Sequence, residues 1–150
     1  MKVKAAGIFI LNKDNKLLVC HPTNHSPSFW SIPKGKVEGS ETLIEAAIRE
    51  TFEETNIDLT DYSNKLISID SQYYSHKQKV LHPFVLFEID CHGLNLSNCV
   101  IKCNSNVPIE RGGFLEMDDY KFCTIKEARE SLHHTQVECL NEIIKMCDRR

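Results

Sequence analysis

Residues 35–57 read GKVEGSETLIEAAIRETFEETNI, and few structures accommodate them. Thr42 and Glu45 have the spacing of a capping box, in which hydroxyl and carboxylate each satisfy an orphan backbone N–H. That predicts a helix starting at about Leu43. Asn56 tolerates the left-handed conformation that ends a helix. At about 100° per residue, Ile44, Ala47, Ile48, Thr51 and Thr55 form one stripe suited to packing on a sheet. Glu50, Glu53 and Glu54 share a different face, where like charges become neighbours. Such repulsion persists in one of two ways. The face is solvated, or it holds a cation. Ahead of the helix, Lys34 and Lys36 flank Gly35 in a loop that suits an anion at a helix N-terminus. A metal–phosphate substrate answers both signs of charge.

Apolar runs of strand length surround this helix. Residues 3–11 and 16–21 read as a strand pair about the turn NKDN, and 29–33 as a short strand ending at Pro33. Residues 65–75 and 79–90 read as further strands, the second apolar on both faces as in a sheet covered on two sides. Residues 21–28 read as a loop, 92–98 as a polar turn, and 99–108 fits no single template. Two more capping boxes, Thr124–Glu127 and Thr135–Glu138, predict helices near 125–132 and 136–147. Helices on both faces of a mixed sheet follow, in a single α/β domain over 1–150.

Composition narrows the function. The net charge of −3 offers no basic field for duplex DNA, and no apolar run is long enough to cross a bilayer. The N-terminus lacks the apolar core of a signal peptide. The seven cysteines suit free thiols in a reducing cytoplasm, with Cys20, Cys139 and Cys147 as core fillers. Cys99 and Cys103 lack the second ligand pair of a zinc site.

The central segment resembles the Nudix box, G-x5-E-x7-R-E-U-x-E-E-x-G-U, where U is bulky and apolar. Gly35, Glu41, Arg49, Glu50, Glu53, Glu54 and Ile57 stand in register. Thr51 replaces the first apolar position and Asn56 the second glycine. The resemblance implies a Nudix-type α/β/α sandwich and hydrolysis of a nucleoside diphosphate linked to another group. It also implies that Glu50, Glu53 and Glu54 bind Mg2+ or Mn2+. Arg49 would hold a carboxylate in place, Glu41 would support the site electrostatically, and Gly35 would let the loop pass close to the metal. Lys34 and Lys36 are candidate phosphate contacts.

Within the family, the branch that cleaves dinucleoside polyphosphates typically carries a tyrosine sixteen to eighteen residues beyond the box. Tyr73 and Tyr74 fall in that window, as base-stacking side chains or as one core ring beside one exposed ring. His76, Lys77 and Lys79 could meet further phosphates or line a solvated strand edge. On the loop 112–120, Glu116 is the candidate base or additional metal ligand, with Asp118 and Asp119 as surface acids. His133 and His134 read as structural or exposed. The expected substrate is a dinucleoside polyphosphate such as diadenosine tetraphosphate. The alternatives are an RNA 5′ end or cap, ADP-ribose, an oxidised nucleoside triphosphate, and a non-catalytic nucleotide-binding module of the same fold.

Overall fold

The computed structural model of the chain describes residues 2–70, the backbone of 72–74, and 78–150. Strand β1 (Val3–Leu11) sets the architecture by sending alternate side chains into two cores. Ala6, Ile8 and Ile10 enter one, Phe9 and Leu11 the other. One edge of β1 pairs in parallel with β6 (Lys79–Phe87), from Val3 opposite Lys79 to Leu11 opposite Phe87. The other edge is divided. β3 (Lys34–Lys36) runs antiparallel to Ala5–Gly7, and β2 (Leu17–Pro22) meets β1 at Leu11 opposite Leu17. From there β2 pairs antiparallel with β7 (Met117–Cys123), with a register break between His21 and Pro22. Two short strands, β4 (Ile67–Ser68) and β5 (Gln72–Tyr74), pair antiparallel with β6, completing a seven-stranded mixed sheet.

Helix α1 (Leu43–Thr55) covers one face of the sheet, where Ala46 and Ala47 pack with Ile8, Ile10, Leu18 and Leu86. On the opposite face, α2 (Ile125–Ser131) and α3 (His134–Asp148) bury Ala128, Cys139, Leu140 and Ile143 against Phe9, Val85 and Phe87. The result is the expected α/β/α sandwich. Both faces of β6 are buried at its centre, as its apolar run predicts. Cys20 and Cys139 are buried, Cys147 is half-buried against the core, and all seven cysteines are free thiols. Among the described residues no helix is long and apolar enough to cross a membrane.

Several local expectations need correction. Residues 29–33 make two isolated bridges, Trp30 with Leu132 and Ser31 with Cys20, and the ladder strand starts at Lys34. Pro33 has no N–H to give a ladder, though its carbonyl accepts from Ile8 N at 3.2 Å. Instead of one long strand, the stretch 65–75 holds β4 and β5, preceded by a 3-10 turn at Thr60–Lys65. β6 ends at Phe87, and 88–90 form a 3-10 turn. The Thr135 box is not used. His133 caps α3 by accepting from Thr135 N, and Thr135 is buried inside the helix. The 92–98 turn is less polar in practice than in composition, since Leu94 and Leu96 reach the core. Glu88 holds this turn by accepting from Leu96 N at 2.7 Å.

Candidate metal and nucleotide site

The capping box forms as expected, and Asn56 ends α1 at φ 67°. The helix is therefore fixed at both ends, and its second half presents the acids. Arg49 is the hub. Its Nε and Nη2 donate to the two oxygens of Glu41 at 2.6 and 3.0 Å, a bidentate fork. Nη1 donates to Glu50 at 3.0 Å and Glu53 at 2.9 Å, and Nη2 also donates to the Lys36 carbonyl at 2.9 Å. These carboxylates, Glu41 first, raise the Arg49 pKa further above its ordinary value, and the guanidinium holds Glu41 below the usual carboxylate range. Lys36 thus contributes its backbone while its side chain is exposed.

The three box acids are graded by depth. The side chains of Glu53 and Glu50 retain 35% and 13% exposure, and Glu54 as a residue retains 2%. The periodicity places all three on one polar face, but the structure turns Glu54 inward beside Thr51 and Thr55. Its carboxylate accepts from Lys34 N at 3.3 Å, and its backbone carbonyl accepts from the Tyr120 hydroxyl. Burial, then Glu50 and Glu116, push the Glu54 carboxyl well above the ordinary range. Burial and Glu53 push Glu50 up to about 7. As placed, Glu50 and Glu53 meet at Arg49 while Glu54 faces Lys34. Among the described residues no three His, Cys, Asp or Glu side chains close on one point.

Gly35 lies against this cluster. A Cβ there would fall 2.1 Å from the Glu50 carboxylate, so β3, where the sequence suggested a loop, and the Glu50 side chain hold these positions together only because the residue is glycine. Beside it opens a cavity of about 280 Å3 bordered by Lys34, Glu54, Glu116, Phe29, His133 and Gln136. A larger, mainly apolar depression of about 580 Å3 runs along the outer side of α1 at Ile44, Ile48 and Phe52. None of Glu50, Glu53, Glu54 or Glu116 borders it.

The donor set fits a hard divalent cation. It is all oxygen, it is partly desolvated, and two of its carboxyls are destabilised as anions by their surroundings. A model of the NUDIX domain matches residues 1–143 of the chain. The chain belongs to the NUDIX family. Over 67 residues it is 40% identical to an RNA pyrophosphohydrolase of Pelagibacter ubique, spanning 43% of the chain and 42% of that relative. Over 48 residues it is 42% identical to the phosphatase NudJ of Escherichia coli K12, 32% of the chain and 31% of that relative. The chain thus aligns with less than half the length of these curated relatives. Among solved structures, a Caenorhabditis elegans Ap4A hydrolase binary complex superposes with a TM-score of 0.70 at 23% identity, covering 99% of both chains. A MutT protein from Methanosarcina mazei gives 0.68 at 17% identity, covering 97% and 94%. These two share the NUDIX fold.

The structure brings Lys34, Gly35, Glu41, Arg49, Glu50, Glu53, Glu54 and Glu116 into one neighbourhood of this NUDIX chain. Tyr73 and Tyr74 lie on β5, but their side chains, like His76 and Lys77, are outside the described residues. Asp118 is more than a surface acid. It accepts from His21 Nδ1 at 2.6 Å while His21 Nε2 donates to the Ser26 carbonyl at 2.9 Å. Two acceptors favour the imidazolium, and Asp118 raises the His21 pKa. This pair fastens β2 and the loop after it to β7. That loop carries what sequence reasoning missed: His25 stacked on Phe29, with centroids 5.3 Å apart, both bordering the cavity. Two rings four residues apart in a loop were the available signal. His133 also borders the cavity besides capping α3.

Proposed function

We propose that this NUDIX chain is a Mg2+- or Mn2+-dependent pyrophosphohydrolase that cleaves a nucleoside diphosphate linked to a second group, and that this substrate is a dinucleoside polyphosphate such as diadenosine tetraphosphate. The observation that carries the reading is Glu54. A carboxylate with 2% exposure, beside Glu50 and Glu116 and bordering a cavity with Lys34, is a costly anion until a cation joins it. When bound, the cation would neutralise phosphate charge and acidify a water.

In this reading Glu50, Glu53 and Glu54 are the metal ligands, and Arg49 with Glu41 keeps the acids in place. Gly35 gives the Glu50 carboxylate room beside β3, and Lys34 meets a phosphate. Glu116 takes the proton of the attacking water. That water forms the new P–O bond as the bridging P–O bond breaks and the leaving phosphate departs as an anion. The His25–Phe29 pair offers a stacking surface for a base, and Tyr73 and Tyr74 remain candidates for the same contact. Seven thiols suit a reducing cytoplasm as the place of action.

A second reading, an RNA 5′-end pyrophosphohydrolase, draws on the relative of that name. Steady-state rates with Mg2+ on diadenosine tetraphosphate, ATP, ADP-ribose and 5′-triphosphorylated RNA choose between them. We expect the dinucleoside compound to give the highest kcat/KM and Glu53→Gln to lose most of that activity while remaining folded. Faster cleavage of the RNA selects the second reading. Near-normal turnover by Glu53→Gln in saturating Mg2+ removes the acid cluster as the metal site.

A further inference from the structure

The cavity beside Glu54 does not end at Glu116. A second one, of about 520 Å3, borders Thr23, Asn106, Arg111 and Phe114 and shares Pro22, His25, Glu116 and Met117 with the first. Glu116 therefore stands at the waist of a two-lobed cleft. The outer lobe is held in shape by backbone bonds. Val107 N donates to Phe114 O at 2.7 Å, Gly113 N to Pro108 O at 3.1 Å, and Glu116 N to Ser105 O at 3.1 Å. Across the waist, Thr23 N donates to Glu116 O at 2.9 Å. Gly112 has φ 118°, and a Cβ on it would come within 2.9 Å of the Phe114 ring. Glycine here serves both the turn and the position of that ring.

Two side chains of this lobe have no evident structural duty. Arg111 has no ion-pair partner among the described residues, in a chain of net charge −3. Phe114 borders the cleft from the loop rather than lying among the buried core residues. A cation and an aromatic ring bordering one concavity suit a phosphorylated nucleoside.

We propose that the outer lobe is a second nucleotide seat, taking the nucleoside phosphate on the far side of the scissile bond. Arg111 meets its phosphate and Phe114 stacks on its base. This rests on the pyrophosphohydrolase reading and deepens it, because a cleft with a seat on each side of Glu116 selects substrates with a nucleotide at each end.

The test is equilibrium binding of methylene-bridged, uncleavable analogues of diadenosine tetraphosphate and of ATP, by calorimetry with Mg2+. Wild type, Arg111→Gln and Phe114→Ala are compared, with thermal melts as a fold control. Both variants should weaken the dinucleoside analogue on the order of tenfold and leave the ATP analogue unchanged. Equal losses on both analogues, or none for Arg111→Gln, an exposed position that folding does not require, overturns the seat. So does a wild type that binds the dinucleoside analogue no more tightly than the ATP analogue. Turnover is read separately. Selective binding without hydrolysis keeps the seat and overturns the activity, whereas hydrolysis without selective binding does the reverse.

Discussion

At residue 35 a single methyl group separates two outcomes. Alanine there would press its Cβ to 2.1 Å from the Glu50 carboxylate. The obstructing atoms are the end of a flexible side chain, so the backbone need not move. Glu50 would swing away, losing its 3.0 Å contact with Arg49. We therefore expect Gly35→Ala to melt within a few degrees of the wild type but to lose roughly 100-fold in Mg2+-dependent turnover, the scale of a misplaced reacting group. Paired melting and rate measurements decide it. A variant that unfolds, or one that retains full activity, contradicts the argument. Arg49 beside Glu50 and Glu53 was legible beforehand because their spacing is rigid along the helix, whereas its fork on Glu41, which precedes α1, was not. The depth of Glu54 was not, since a helical wheel sorts residues by polarity and cannot see that β3 closes over one acid.

At the level of elements, the informative junction is the end of α1. The Nudix motif has glycine where this chain has Asn56, and the structure supplies a reason. Asn56 Nδ2 donates to Val100 O at 2.9 Å, and its Oδ1 accepts from Asn104 Nδ2 at 2.9 Å. Asn104 N and Lys102 N donate to Glu53 O and Thr55 O, carbonyls in the last turn of the helix. Glycine would enter the left-handed conformation more easily, but would drop both side-chain bonds. At about 1 kcal/mol each, Asn56→Gly should destabilise by roughly 1–2 kcal/mol, read as a lower urea midpoint with an unchanged slope. A variant as stable as the wild type would show that the side chain contributes nothing beyond its φ. This junction also explains why residues 99–108 resisted interpretation. Their amides bond to a helix end and to loop carbonyls rather than to a ladder, and such partners leave no periodicity. The helices and long strands were readable from caps and alternation. The 29–33 stretch was not, because its apolar residues reach the core from an irregular path.

For the molecule as a whole, the acid cluster ties stability to pH. The Glu50 carboxyl lies at about 7 when folded, against 4.5 as its ordinary value, and Glu54 shifts the same way. The folded state holds these protons more tightly than the unfolded state. Stability without metal should therefore fall as pH rises from about 4.5 to about 7, then level off as far as Glu50 is concerned. Glu50→Gln should show a shallower decline across that window. If these carboxyls hold the cation as proposed, added Mg2+ should restore stability most at the alkaline end, where they are ionised. Chemical denaturation at a series of pH values measures all three, and identical slopes for wild type and Glu50→Gln would remove Glu50 as a source.

The bonds from Asn104 and Lys102 to the end of α1 bear on inheritance as well as stability. They moor the base of the 106–116 loop to the acid-bearing helix, while Ile109, at 87% exposure, marks a tip that bears little of the structure. Mutations at that tip can accumulate without reaching the moored base. Lineages descended from such a chain are thus free to vary the rim of the cleft while keeping the acid-bearing helix intact, and gene duplication followed by drift in a few loop codons is enough to begin the divergence.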